Sequence, residues 1–234
     1  MLLASNRFAN PKNLQYRVKI QVSHTTRTQN IAYKTSIICH AARGNQKEIR
    51  RILSSMRLFI GIGLPLSVGE ALTHAARAML PPEREGSPRV RLARPQDMHV
   101  TLSFLGHVEP SHLEPIQQSL AALHADRMRL ELNGAGVFAN GGILLAKVKP
   151  SPNLLSLTEQ VLQAMERRGF PREQRPFTPH VTLARSKGRI RLGSRQPRDP
   201  AFMQAFEADE FCLYQSFTRP EGSQYLVLTA FPLT

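Results

Sequence analysis

Two histidines in this chain head the same tetrapeptide, His99-Val100-Thr101-Leu102 and His180-Val181-Thr182-Leu183. Side chains alternate faces along a strand, so the His and Thr of each motif share one face while Val and Leu take the other. Each motif can therefore anchor itself in a core through its apolar pair and present an imidazole and a hydroxyl on the opposite side. Two such strands brought together suit a phosphoryl group, because hydroxyls donate to its oxygens while imidazoles move protons. With 8 His in the chain, about 0.4 matches to His-x-Thr are expected by chance. His24-Thr25-Thr26 is one such match and lacks strand context. Two matches that both continue to Leu on apolar strands exceed that expectation. The alternative, a pair of strand histidines satisfied by backbone or hydroxyl partners, is the weaker reading.

Elements that would hold the motifs emerge from Met56 onward. Leu58, Ile60, Ile62 and Leu64 alternate along a strand that Pro65 ends. Ser67 with Glu70 reads as a capping box opening a helix towards Met79, and Ser111 with Glu114 as a second, opening a helix to about His124. Strands are expected at His99 to Leu105, Met128 to Val137, Gly142 to Lys149 and His180 to Arg185. A helix capped by Ser151, with Pro152 at its first position, should close at Gly169. The tail reads as a hairpin, Glu210 to Phe217 and Gln224 to Phe231, around Pro220-Glu221-Gly222. Strands and helices thus alternate in two similar passes, each with one His-x-Thr-Leu strand. The expected fold is α+β, two pseudo-symmetric lobes whose antiparallel sheets face a central cleft, with helices outside.

Charge is unevenly placed. Residues 1–55 hold ten of the 31 Lys and Arg and one acid, Glu48, of the 17 Asp and Glu, so most of the net charge of +14 lies there. That stretch shows no sustained period and is expected to be a basic, mostly disordered extension. An upstream start site, a basic arm adding RNA affinity and an organellar targeting peptide are its three readings. Residues 56–234 form the expected folded domain. The only cysteines, Cys39 and Cys212, lie far apart, which argues against a disulfide framework and suits a reducing, cytoplasmic compartment. Cys212 alternates with apolar neighbours and reads as a small buried hydrophobe. No apolar run is long enough for a membrane span. His74, His107, His112 and His124 lack metal-ligand spacing and read as surface histidines, so no metal is expected.

Three stretches together resemble a known family: Arg57-Leu58-Phe59-Ile60-Gly61-Ile62; Met98-His99-Val100-Thr101-Leu102-Ser103-Phe104-Leu105-Gly106; and Arg175-Pro176-Phe177-Thr178-Pro179-His180-Val181-Thr182-Leu183-Ala184-Arg185. They look like the RNA 2′,3′-cyclic phosphodiesterases, also called 2′-5′ RNA ligases, of the two-histidine phosphoesterase superfamily. The resemblance runs from Met56 to the C-terminus. It implies a proton donor at His99, a proton acceptor at His180, phosphate binding by Thr101 and Thr182, and a substrate-binding arginine at Arg185. Strand parity puts Arg185 on the opposite face from His180, so a twist or strand end is needed there. Phe104 is a candidate for stacking on a base, but its parity with Val100 and Leu102 favours core packing.

The implied activity opens 2′,3′-cyclic phosphate ends of RNA to 2′-phosphomonoesters without metal or other cofactor, with weak 2′-5′ joining as a side reaction. The expected partner is RNA bearing such ends; neither a membrane nor a protein partner is implied, and a monomer is expected. Competing readings are a non-catalytic RNA-end-binding protein and a superfamily phosphodiesterase acting on small cyclic nucleotides. Arg84 to Arg94 and Arg185 to Arg198 are arginine-rich and either line an RNA groove, with Arg89, Arg91 and Arg94 contributing, or are solvated loops.

Overall fold

A computed structural model describes residues 4–9, 15–20, 55–82, 89–138, 141–192, 199–219 and 222–234. The chain divides into two compact units, Met1–Ser55 and Met56–Thr234. In the first, β1 (Ala4–Ala9) pairs antiparallel with β2 (Gln15–Ile20). The ladder falls within the stretch in which no sustained strand period was read. The alternation of Tyr16, Val18 and Ile20 is a strand period, though a short one in a polar stretch. The remainder of the expected extension, and the match at His24, lie outside the described residues.

The second unit runs β3 (Met56–Gly63), α1 (Leu66–Met79), β4 (Val90–Leu92), β5 (His99–Val108), α2 (Leu113–Ala121), β6 (Met128–Val137), β7 (Ile143–Val148), α3 (Pro152–Glu166), β8 (His180–Ser186), β9 (Ala205–Ala208), β10 (Glu210–Arg219) and β11 (Gly222–Pro232). Its strands form one sheet in the order β11-β10-β3-β5-β8-β7-β6-β9, with β4 on the edge of β8. The α+β architecture of two lobes is present, and the lobes join edge to edge between β5 and β8 at the pair Val100↔Val181. One face of the sheet packs against the helices: Leu58, Ile60, Val100, Leu102, Val181 and Leu183 share a core with Leu72 of α1, Leu120 of α2 and Val161 of α3. The other face is open and carries the polar members of both motifs. No helix among the described residues is long and apolar enough to cross a membrane.

Local chemistry explains where the elements begin. Ser151 Oγ accepts from the Leu154 amide at 3.3 Å with Pro152 at the first helical position, and Gly169 closes the turn after α3 at φ +85°. The two capping boxes are corrected. Helix α1 starts at Leu66, with Pro65 as its cap and no side-chain cap bond, so Ser67 lies inside it. A 3-10 turn over Pro110–His112 absorbs Ser111, and α2 starts at Leu113 and ends at Ala121. The C-terminal hairpin pairs out to Arg219↔Gly222; its expected turn at Pro220 and Glu221 lies outside the described residues. In the second unit two strands were missed, β4 and β9, each too short to show a period.

The join between β3 and β5 is close enough to forbid a side chain. A Cβ at Gly61 would meet the Val100 carbonyl oxygen at 2.7 Å. Gly61→Ala should therefore overpack this contact and cost about 1–3 kcal/mol, lowering the urea midpoint at unchanged slope. An unaltered midpoint would show that the strands tolerate wider spacing.

Candidate active site

The pairing of Val100 with Val181 fixes the geometry of both motifs. Both valines are fully buried, and antiparallel pairing places their flanking residues on the opposite, open face. Continuing the register sets His99 across from Thr182 and Thr101 across from His180. The four side chains form a two-by-two array with each imidazole beside the other motif's hydroxyl. The two imidazoles are close enough for His180 to depress the protonation of His99.

Each ring is held the same way. His99 Nδ1 lies 2.7 Å from the Asp97 carbonyl oxygen, and His180 Nδ1 lies 2.7 Å from the Thr178 carbonyl oxygen. A carbonyl only accepts, so each Nδ1 carries a proton and each Nε2 is left to exchange one. An aromatic ring backs each imidazole: Phe59 at 4.6 Å from His99 and Phe138 at 4.8 Å from His180. Tyr225 meets His99 edge-on at 4.9 Å.

A β-bulge resolves the parity of Arg185. In β7 and β8 the register steps from Leu145↔Thr182 to Leu144↔Ala184, leaving Leu183 as the extra residue. Ala184 therefore points into the core with Leu183, both fully buried, and Arg185 swings to the open face. Its Nη2 lies 3.5 Å from Thr182 Oγ1, at the limit of a hydrogen bond.

The first motif carries the same irregularity. Between β3 and β5 the register steps from Gly61↔Thr101 to Ile60↔Ser103, with Leu102 as the extra residue. Phe104 therefore occupies the position in its lobe that Arg185 occupies in the other. It is 64% exposed on the open face, its ring 6.0 Å from that of Phe59. Core packing of Phe104, the expectation from strand parity, is thus corrected; the bulge reverses the parity.

Electrostatics differ between the imidazoles. Burial pushes His99 down to about 4; the Asp97 carbonyl bond opposes this, the Arg185 charge adds to it, and the Asp97 carboxylate opposes it. Burial also lowers His180, with the Thr178 carbonyl opposing and Arg185 assisting, but no carboxylate contributes. Asp97 is buried, pairs with Arg94 and accepts from the Tyr225 amide at 3.4 Å. It positions His99 by fixing the carbonyl that holds Nδ1, and this role was missed in the sequence. Arg94 is thereby engaged in structure.

Phe59, Tyr214 and Cys212 form a small buried cluster with Tyr225 on the open face of the first lobe, adjoining His99. Cys212 is the small buried hydrophobe expected, its thiol pushed up to about 12 by burial and the Glu210 carboxylate. Register sets Lys147 beside His180 and Arg91 beside Arg185, both on the open face. Lys147 was also missed, although it alternates with buried Ala146 and Val148. In the two arginine-rich runs, residues 83–88 and 193–198 lie outside the described residues. Among the described residues, no three His, Cys, Asp or Glu side chains gather as metal ligands.

Residues 65–216 match the model of the 2′-5′ RNA ligase superfamily. The RNA 2′,3′-cyclic phosphodiesterase of Thermus thermophilus is 33% identical over 192 residues, 76% of this chain and 90% of that protein. The protein of the same name from Archaeoglobus fulgidus is 28% identical over 182 residues, 75% of this chain and 99% of that one. A third bearer of that name, from Geobacillus stearothermophilus, is 33% identical over 145 residues, 59% of this chain, and the match spans only 46% of that protein's length. The crystal structure of E. coli LigT with 3′-AMP superposes with a TM-score of 0.67 at 26% identity, covering 77% of this chain and 99% of that one. This chain belongs to the 2′-5′ RNA ligase superfamily.

Proposed function

We propose that residues 56–234 hydrolyse the 2′,3′-cyclic phosphate end of RNA to a 2′-phosphomonoester by acid/base catalysis between two histidines. The observation that carries this reading is the array of two imidazoles and two hydroxyls on one open face, with Arg185 turned onto it. The names of the relatives supply the substrate class.

In this scheme His180, neutral, takes a proton from water at Nε2 as the water oxygen attacks phosphorus. The bond from phosphorus to O3′ breaks, and His99 gives the departing oxygen its Nε2 proton. The 2′ ester bond survives, and proton exchange with solvent resets both rings. Thr101, Thr182 and Arg185 meet the charge that develops on the phosphoryl oxygens. The assignment of His99 as acid and His180 as base is the one the family resemblance implies; the Asp97 carboxylate opposes, without overcoming, the burial that lowers His99. A bound phosphate would also favour a proton on His99. An RNA 5′-hydroxyl in place of water leads through the same steps to a 2′-5′ linkage. Phe104 offers a face for the terminal base.

Turnover should persist in EDTA, and His99→Ala or His180→Ala should each lower kcat by about 10²–10⁴ without loss of the folded circular dichroism spectrum. Abolition by EDTA, a 3′-phosphate product, or full activity in either variant would refute the scheme.

Arg185 depresses protonation of both imidazoles, so removing its positive charge should raise both. The bell of kcat/KM against pH is expected to have both limbs below the ordinary histidine value. In Arg185→Gln both limbs should move to higher pH while the maximum falls about a hundredfold. A fixed bell would place the guanidinium away from both rings.

Phe104→Ala should cost about 1–3 kcal/mol of base stacking. The loss should appear chiefly as a raised KM, and much less with an abasic end than with a base present. Equal losses on both substrates would remove Phe104 from base binding.

A further inference from the structure

We infer that Arg91, together with Arg185, forms a second anion subsite that takes the 5′-phosphoryl group of the nucleotide whose 3′ end carries the cyclic phosphate. This rests on the proposed function and specifies its substrate further.

Arg91 and Arg185 are directly opposed in the ladder between β4 and β8. Directly opposed residues have Cβ atoms about 4.5–5.5 Å apart on one face. The face is the open one: Val90 and Leu92, which flank Arg91, pack against the core, and Arg185 reaches Thr182. Like charges so placed repel, and among the described residues neither guanidinium has a carboxylate partner. Arg94, also near the first motif, differs because it is committed to Asp97. Two adjacent forks with no carboxylate partner among the described residues suit an anion from outside, and phosphate fits their geometry.

Position relative to the array supplies the second line of reasoning. The Arg91–Arg185 pair lies along β8 just past the Thr182–His99 pair, on the side away from Thr101 and His180. With O3′ at His99, the ribose places C4′ and C5′ on the O3′ side of the ring and the base on the O2′ side. The chain leading to the 5′ phosphate then heads towards Arg91. The base heads the opposite way, towards Phe104, which lies beyond Thr101 along β5. Both ends of one nucleotide are accommodated by residues that the paired bulges expose.

The experiment compares kcat/KM for three substrates with a common cyclic end: a nucleoside 2′,3′-cyclic phosphate, the same with a 5′-monophosphate, and a dinucleotide ending in the same group. In the wild-type protein one or both of the phosphate-bearing substrates should exceed the bare nucleoside by about tenfold. Arg91→Ala should collapse that ratio towards one, and Arg91→Lys should restore part of it. A gain confined to the monophosphate identifies a terminal phosphate as the ligand; a gain confined to the dinucleotide identifies a chain diester. If neither phosphate improves turnover, or if the ratio survives in Arg91→Ala, the subsite is refuted. If none of the three substrates turns over, it is the proposed hydrolysis itself that fails.

Discussion

The contact between Val100 and Val181 is the constraint on which the site depends. Two strands meet there from different lobes, at one antiparallel pair, with both side chains fully buried. Once that pair is fixed, the pleat leaves little freedom: the residue on either side of each valine must face the other way, and the four that do so are two histidines and two threonines. A slip of one residue would turn all four into the core and bring the valines out. Burial of the apolar pair, worth about 1.5–3 kcal/mol per side chain, thus sets the register of the polar array. Hydrophobic packing on one face does the positioning for chemistry on the other.

The same alternation explains what was legible in the sequence. His99, Thr101, His180 and Thr182 were assignable to one surface because strand period is a local property and Val and Leu marked the buried side. The Ser151 cap and the Gly169 turn were legible for a similar reason, since they use side chains and φ values within one turn of the helix end. Failures occurred where a local rule met a non-local decision. Ser67 and Ser111 have capping sequences, but Pro65 and the turn at Pro110 determine the first helical residue. Arg185 and Phe104 follow bulges, and a bulge belongs to a strand pair, so parity counted along one strand misplaces them. Asp97, Phe59 and Lys147 enter the site through neighbouring strands or a backbone carbonyl, which a reading along one strand does not reveal, and Arg91 was legible only as one of several arginines of a possible RNA groove.

Charge placement sets the balance of the dyad. Burial and the Arg185 guanidinium both disfavour imidazolium at either ring. The bonds to the Asp97 and Thr178 carbonyls work in the opposite direction, because Nδ1–H is a better donor when the ring is charged. The Asp97 carboxylate offsets part of this burial effect, acting on His99 alone. Burial and Arg185 both disfavour a charged ring, and in the proposed scheme an anion bound beside Arg185 would offset the guanidinium. In that scheme protonation of the acid is coupled to occupancy.

Near-symmetry of the two lobes makes the departures from it informative. Each lobe has the tetrapeptide, a bulge after its threonine, a backbone carbonyl on Nδ1 and an aromatic ring behind the imidazole. A symmetric site would bind a symmetric ligand in two orientations, and acid and base would be interchangeable. The equivalent positions reached through the two bulges break that degeneracy, with Phe104 in one lobe and Arg185 in the other. Asp97 against Thr178 breaks it a second time, at the carbonyls behind the rings. An aromatic surface and a guanidinium prefer different parts of a nucleotide, so a bound end has one favoured direction across the array. In the proposed reaction, orientation fixes which imidazole lies near the leaving oxygen, and from that a division of labour between two otherwise equivalent histidines would follow.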